Sequence, residues 1–209
     1  MEHLIVTIGR QLGSGGRQIG RQIAGQLSLS FYDRELVNIA SQESGLSEDV
    51  FEQADEKKNR SLLGSWFAPR SSLIGADFQM NSCMSDEALF QIQSDVIRGL
   101  AEQQPCVFVG RCADYILRES PRCVNVFISA DIDDRIRRVA EHAQVSPDKA
   151  KELIRQTDKM RAEYYNYYTN KEWGVAKSYH LCVNSSFLGE TETVAYVIKY
   201  IQAFPGKKA

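Results

Sequence analysis

Val6-Thr7-Ile8-Gly9-Arg10-Gln11-Leu12-Gly13-Ser14-Gly15-Gly16-Arg17-Gln18-Ile19 joins the end of an apolar run to the start of a helical stripe. The run Leu4-Ile5-Val6-Thr7-Ile8 is apolar on both faces, as in a strand of a covered parallel sheet. Ile19, Ile23 and Leu27 recur every four residues and put one apolar stripe on the helix that follows. Between them stand Gly13, Gly15 and Gly16. Glycine accepts positive φ and lets the backbone approach a ligand closely. The N–H groups of such a turn, with the helix N-terminus, can converge on a phosphate. Arg10 and Arg17 flank the turn and add positive charge. The candidate phosphate-binding residues are therefore Gly13, Ser14, Gly15, Gly16, Arg17 and Gln18.

Two nucleotide-binding patterns compete for this turn. The dinucleotide fingerprint G-x-G-x-x-G needs an acid about 20 residues on. Gly13, Gly15 and Asp33 fit it, but Gln18 does not. The phosphate-loop pattern is G-x-x-x-x-G-K-[ST]. With Gly16-Arg17 set as its Gly-Lys, Gln11 falls on the first glycine and Gln18 on the hydroxyl. Neither pattern is intact, and the turn alone leaves both open.

Outward from the turn, apolar runs alternate with helical patterns. Cys106-Val107-Phe108-Val109, Val124-Asn125-Val126-Phe127-Ile128 and Leu181-Cys182-Val183 read as strands, with Ser30-Phe31-Tyr32 as a shorter one. Leu36 to Ala40 suggests a helix. Leu46-Ser47 with Phe51 reads as a staple and cap. Leu89, Val96, Ile97 and Leu100 mark a long helix with Gln93 as its polar intruder. Asp131 can cap a helix to about Ala143. Ser146-Pro147 opens one to about Tyr168, and Val194, Val197, Ile198 and Ile201 close the chain. This alternation predicts an α/β fold with right-handed crossovers and a doubly wound parallel sheet. Residues 59–85 show no clean period and read as a flexible insert.

Composition narrows the class. Of 209 residues, 43% are hydrophobic and 25% charged, which excludes a disordered chain, a collagen and a disulfide scaffold. The net charge of −2 argues against a general nucleic-acid binder. It remains compatible with an anionic small molecule, which a few placed cations can hold. No apolar stretch approaches the roughly 20 residues of a membrane span, and a strand starting at Leu4 leaves no room for a signal peptide. The expectation is a cytoplasmic protein with no nucleic-acid or membrane partner. Cys83, Cys106, Cys112, Cys123 and Cys182 show no zinc-knuckle spacing and read as buried thiols. His3, His142 and His180 share no motif, and no metal site is expected.

The second half bears on the choice. Gly110-Arg111 follows a strand and places an Arg at the C-terminal sheet edge, where ligands bind in this architecture. Arg155, Asp158 and Arg161 are spaced three apart on a helix, so that Asp158 can hold two guanidinium groups toward a phosphate. Tyr164-Tyr165-Asn166-Tyr167-Tyr168 and Trp173-Gly174 follow; packing under a lid is the reading preferred to stacking on a base. Several cationic elements aimed at one sheet edge suit a doubly phosphorylated site better than a hydride-transfer pocket.

In combination these motifs resemble the cytidylate kinase-like family, relatives of the nucleoside-monophosphate kinases of the P-loop class. The matching residues are Gly13 to Arg17, Phe31 to Leu36, Glu43 to Ser47, Val109 to Tyr115, Asp158 to Tyr165, Trp173-Gly174 and the closing Tyr179 to Ser185. The resemblance implies one three-layer P-loop kinase domain over 1–209. Its insert at 59–85 would lie near the acceptor site, and 144–178 would form a helical lid. It implies ATP with Mg2+ as donor and a cytidylate-like nucleotide or related small acceptor, and admits a homo-oligomer. By the same analogy the glycine turn holds donor phosphates, and Asp33, Arg34 and Asp114 border the acceptor. Arg111 matches a Gly-Arg-Asp motif, while Arg155, Asp158 and Arg161 match the lid motif. Arg17, Arg111, Arg155 and Arg161 would spread over the transferring group. The chain departs from the pattern in three places: the loop Lys is Gly16 or Arg17, no Ser or Thr follows it, and Cys112 stands where the motif has Asp. These departures leave two rivals: a nucleotide-binding regulator without catalysis, and an NAD-dependent oxidoreductase resting on Gly13, Gly15 and Asp33. A scaffold role would need Trp66 and Phe67 of the insert to be exposed.

Overall fold

The structure, a computed structural model, describes residues 3–33, 36, 39 and 86–205. One compact unit comprises Met1–Asp33 and Ile97–Ala209, and a second comprises Arg34–Val96. The capping motif at Leu46, the insert at 59–85 with Trp66 and Phe67, and most of the helix expected from Leu36 lie outside the described residues. In the second unit the described residues include the start of a helix, where the Ser94 hydroxyl donates to the Phe90 carbonyl at 2.7 Å.

The strands are β1 (Ile5–Arg10), β2 (Ser30–Tyr32), β3 (Cys106–Val109), β4 (Cys123–Ser129) and β5 (Leu181–Asn184). The helices are α1 (Gly16–Gln26), α2 (Asp86–Gln103), α3 (Ala113–Ile116), α4 (Ile132–Ala143), α5 (Pro147–Thr169) and α6 (Ser185–Ala203). All pairings are parallel, in the order β2-β3-β1-β4-β5. Ile8 of β1 lies beside Val109 on one side and Val126 on the other. The three inner strands are buried along almost their whole length, while β2 and β5 are partly exposed at the edges. That is why the inner runs are apolar without alternation. Cys182 corrects one expectation: it is exposed, because it sits on edge strand β5, whereas Cys106, Cys112 and Cys123 are buried.

Side chains alternate along β1. Val6 and Ile8 join one core cluster with Ile19, Ile23 and Ala24 of α1 and Val194, Val197 and Ile201 of α6. Full burial of each Ile is worth roughly 1.5–3 kcal/mol. This cluster seats the start of α1 against the end of β1.

Helix ends follow local chemistry. The Ser146 hydroxyl accepts from the Lys149 N–H at 3.3 Å, with Pro147 in the first helical turn. Asp131 precedes α4 but makes no side-chain cap; its carboxylate accepts from Asn184 Nδ2 at 2.8 Å instead. No helix of the described residues is long and apolar enough to cross a membrane.

The strand order decides between the two nucleotide patterns. In a dinucleotide-binding sheet β2 is the neighbour of β1. Here β3 lies between them, so the oxidoreductase reading loses its architecture. β1 is flanked by β3 and β4, and the chain leaves it toward β2 by one crossover and returns across it between β3 and β4. The crevice therefore opens at the C-terminal end of β1, where the glycine turn begins.

Candidate functional site

The turn after β1 is held from all sides. Gln11 N–H donates to the Ile128 carbonyl at 3.1 Å, and Leu12 N–H to the Asp158 carboxylate at 2.9 Å. Arg135 Nε donates to the Leu12 carbonyl at 2.7 Å, Arg138 to the Gly13 carbonyl at 3.2 Å, and the Ser185 hydroxyl to the Ser14 carbonyl at 2.7 Å. Ser14 is fully buried, and its hydroxyl donates to the Gln11 carbonyl at 2.9 Å. Gly13 and Gly15 have φ of +78° and +76°, and a Cβ on Gly13 would stand 2.8 Å from the Arg135 carbonyl oxygen. The loop carbonyls thus point outward into α4 and α6. Of the first amides of α1, that of Gly16 donates to the Ser14 hydroxyl at 3.4 Å, and those of Arg17 and Gln18 have no intrahelical acceptor by the geometry of any α-helix. Such a helix start, with its dipole, suits an anion.

Guanidinium groups surround that end. Arg17 pairs with Asp33 at 2.5 Å, and Arg10 approaches the same carboxylate at 3.7 Å. Arg161 of α5 donates to the Arg10 carbonyl at 3.2 Å and stands 3.9 Å from Asp158. Burial, with Arg10 next to it, pushes the Arg161 pKa down to about 9. Burial also lowers that of Arg10, with Arg111 and Arg17 adding to the effect against Asp33. Burial thus works against positive charge on both residues.

β3 ends in a strained turn. Gly110, Arg111 and Cys112 take φ of +78°, +58° and +55° in succession. Left-handed backbone costs a side-chain-bearing residue roughly 1–2 kcal/mol, and such strain gathers at functional sites. The turn aims Arg111 at a cavity of about 60 Å³ whose wall also includes Gly9, Arg10, Asp114, Arg161 and Tyr165. The Tyr165 hydroxyl donates to the Asp114 carboxylate at 2.7 Å. Trp173 stacks edge-on against Phe127 of β4, and within α5 Tyr165 is buried while Tyr167 is exposed.

Burial raises the pKa of Asp114, against the opposing effects of the Tyr165 hydroxyl and Lys171. The folded carboxyl therefore keeps its proton above the unfolded value of 3.8, and stability falls as pH rises through that window. Asp114→Asn keeps an acceptor for Tyr165 and removes the titration. Urea midpoints measured from pH 4 to 8 should fall with pH in the wild type and stay flatter in the variant. Parallel curves would contradict the assignment.

Of the residues singled out by sequence, the structure brings together Gly13 to Gln18, Asp33, Arg111, Asp114, Asp158 and Arg161. Arg155 stands apart: it is 67% exposed and pairs with Glu152 at 2.8 Å, so Asp158 does not hold it. Asp158 pairs instead with Arg135, which is nearly buried. Arg34 lies outside the described residues. Sequence reasoning missed Arg135 and Arg138; the signal available was two cations three residues apart in the first two turns of α4, which also fits a solvated helix face.

The sequence model of the cytidylate kinase-like family matches residues 5–187. The chain belongs to the cytidylate kinase-like family. Among solved structures, this member of the family is similar to an uncharacterized protein from Eubacterium ventriosum ATCC 27560, with 25% identity and a TM-score of 0.73 over 97% of this chain and 100% of that one. It also resembles shikimate kinase from Bacteroides thetaiotaomicron, at 14% identity and TM-score 0.53, covering 96% and 97% of the two chains. Shikimate kinase from Acinetobacter baumannii, in complex with shikimate, gives 13% and 0.53 over 97% and 94%. The last two establish the fold, that of P-loop kinases. No protein of curated function matches the chain. Kinases of this class generally use ATP and Mg2+. The glycine turn and its cations suit a polyphosphate, against an opposing charge, the Glu190 carboxylate, whose Oε1 would lie 2.8 Å from a Cβ on Gly15. The Mg2+ partner that the loop pattern places after its Lys is a hydroxyl, whereas the family member described here has Arg17 in that region. Among the described residues no group of acids, His or Cys is arranged for a metal. The loop thus does not fit its usual metal contact.

Proposed function

We propose that the protein transfers the terminal phosphoryl group of ATP to a nucleoside monophosphate of the cytidylate type or to a related small acceptor. The observation that carries this reading is the clustering of Arg10, Arg17 and Arg161 about Asp33 and the end of β1, beside the glycine loop. Phosphoryl transfer is mostly positioning and charge neutralisation, and needs no strong base. The loop amides and the start of α1 hold the donor phosphates. Arg17, Arg111 and Arg161 spread over the transferring group, while Asp33, with Arg34 next to it in sequence, and Asp114 border the acceptor. Arg155, held by Glu152, has no part in this reading. Residues 144–178 act as the lid, excluding water and suppressing hydrolysis. Transfer takes the γ-phosphorus from the β–γ bridging oxygen of ATP to an acceptor oxygen; ADP leaves with the bond electrons, and the acceptor proton passes to solvent or a nearby carboxylate.

One observation favours a second reading, a nucleotide-binding regulator: the helix starts on Gly16, with no lysine in the loop. Thermal melting separates the readings from a protein that binds no nucleotide. ATP at about 100 times its Kd should stabilise the fold by roughly 2.7 kcal/mol, a rise of about 5–10 °C for a chain of this size. NAD should give none. ADP release, coupled to an optical readout across nucleoside monophosphates, nucleosides and small hydroxylated metabolites, then tests transfer. ATP binding with no transfer to any acceptor would favour the regulator.

A further inference from the structure

The start of α1 fixes how the loop aligns with the phosphate-loop pattern. α1 begins at Gly16, immediately after left-handed Gly15. Gly15 then takes the second conserved glycine of G-x-x-x-x-G-K-[ST], Gly16 the lysine and Arg17 the hydroxyl. Counting back five positions, Arg10 falls where the pattern has its first glycine. We propose that positions 10 and 16 have exchanged roles: Arg10 reaches from the first position of the loop into the phosphate site and supplies the cation that the helix start lacks. This rests on the phosphoryl-transfer reading only as far as the loop being a polyphosphate site.

The geometry of one side chain carries the exchange. A Cβ built on Gly16 would lie 2.6 Å from the Arg10 Cβ and 3.2 Å from its Cγ. The stem of Arg10 therefore leaves the backbone through the space where a residue-16 side chain would begin, and the two cannot coexist. At its far end the guanidinium lies over Gly110, where a Cβ would meet Nη1 at 2.1 Å. It stands 3.7 Å from Asp33. Arg10 thus spans from the first turn of α1 to the end of β3, along the mouth of the loop. Gly16 leaves room for the stem of this side chain, and Gly110, itself left-handed, leaves room for its head. Its head is held near Arg17 and Arg111, with Asp33 and Asp158 as the opposing charges, and shares a cavity wall with Arg161. A side chain placed only to neutralise Asp33 would not be set among three other guanidinium groups, since Arg17 already pairs with that carboxylate.

The test is binding of inorganic tripolyphosphate and of ATP by titration calorimetry to the full chain, with melting curves as the control for folding. Arg10→Met should weaken both ligands by about tenfold to 100-fold, the loss of one charge-assisted hydrogen-bonding group. Gly16→Lys alone should also lose binding, because its side chain collides with Arg10. The double variant Arg10→Gly/Gly16→Lys restores the common pattern and should recover binding to within about threefold of wild type, a standard below one hydrogen bond in energy. A purely structural Arg10 would lower the melting temperature and leave ligand affinity at the wild-type value; that result overturns the proposal while the phosphate-site reading stands. A folded double variant that binds no better than Arg10→Gly also overturns it, and this comparison holds even if Arg10→Met fails to fold. A wild-type chain that binds neither ligand brings down the phosphate-site reading and the exchange with it.

Discussion

Arg161→Ala lowers the turnover of ATP with its best acceptor by about 10³-fold, the scale on which one guanidinium stabilises a transferring phosphoryl group. Arg161 stands on α5 within reach of both the loop and Asp158, donating to the Arg10 carbonyl at 3.2 Å. Its pKa is pushed down to about 9 by burial and by Arg10, and Asp158 and Asp33 compensate its charge only in part. An arriving phosphate supplies that compensation, and the gain grows as charge spreads over the equatorial oxygens of the transition state. The loss should therefore fall mainly on kcat, with ATP affinity reduced by less than about tenfold. Arg161→Lys keeps the charge but not the planar fork, and should recover only part of the rate. The fold should persist, because removing one cation relieves repulsion on Arg10. Steady-state kinetics with melting curves decide the matter: a kcat equal to the wild-type value would remove Arg161 from the reacting group.

How far the fold was legible depends on whether a feature is local. The strands Cys106–Val109 and Leu181–Asn184 were visible as short apolar runs, and Ser146-Pro147 announced α5 through a local cap. The order of strands was not visible, because Ile8 meets Val109 and Val126 across about a hundred residues, and no local pattern encodes which neighbour β1 takes. The left-handed turn after β1 was legible because that backbone leaves few residues other than glycine. Its alignment was not, since the sequence leaves Gly16 and Arg17 both open for the lysine position and the choice turns on where α1 begins. Spacing and the lid motif both group Arg155 with Asp158 and Arg161. At 3.6 residues per turn, six residues rotate the helix by about 600°, leaving Arg155 and Arg161 about 120° apart. When Arg161 faces the loop, Arg155 faces solvent and takes Glu152. Arg135 was hidden for the opposite reason: its partner Asp158 is on another helix, so nothing in its own segment distinguishes it from Arg137, which is exposed.

Asp158→Ala should cost about 3–5 kcal/mol of stability, the penalty for leaving a buried guanidinium without its carboxylate. For a chain of this size that is a fall of roughly 10 °C in Tm. One oxygen of Asp158 accepts the Leu12 N–H at 2.9 Å, the other pairs with Arg135, and Arg161 lies 3.9 Å away. Arg135 is 7% exposed and would keep only the Leu12 carbonyl as a strong acceptor. The same carboxylate thus ties the loop to α4 and α5, and its removal loosens Leu12 as well as stranding a charge. The two effects separate in a double variant. Arg135→Met/Asp158→Leu replaces the ion pair with apolar packing and should regain much of the lost stability. It cannot restore the acceptor for Leu12 N–H, so tripolyphosphate binding should stay weak even as Tm recovers. If affinity returned together with Tm, the carboxylate would be a stabilising contact alone and the loop would hold its shape without it.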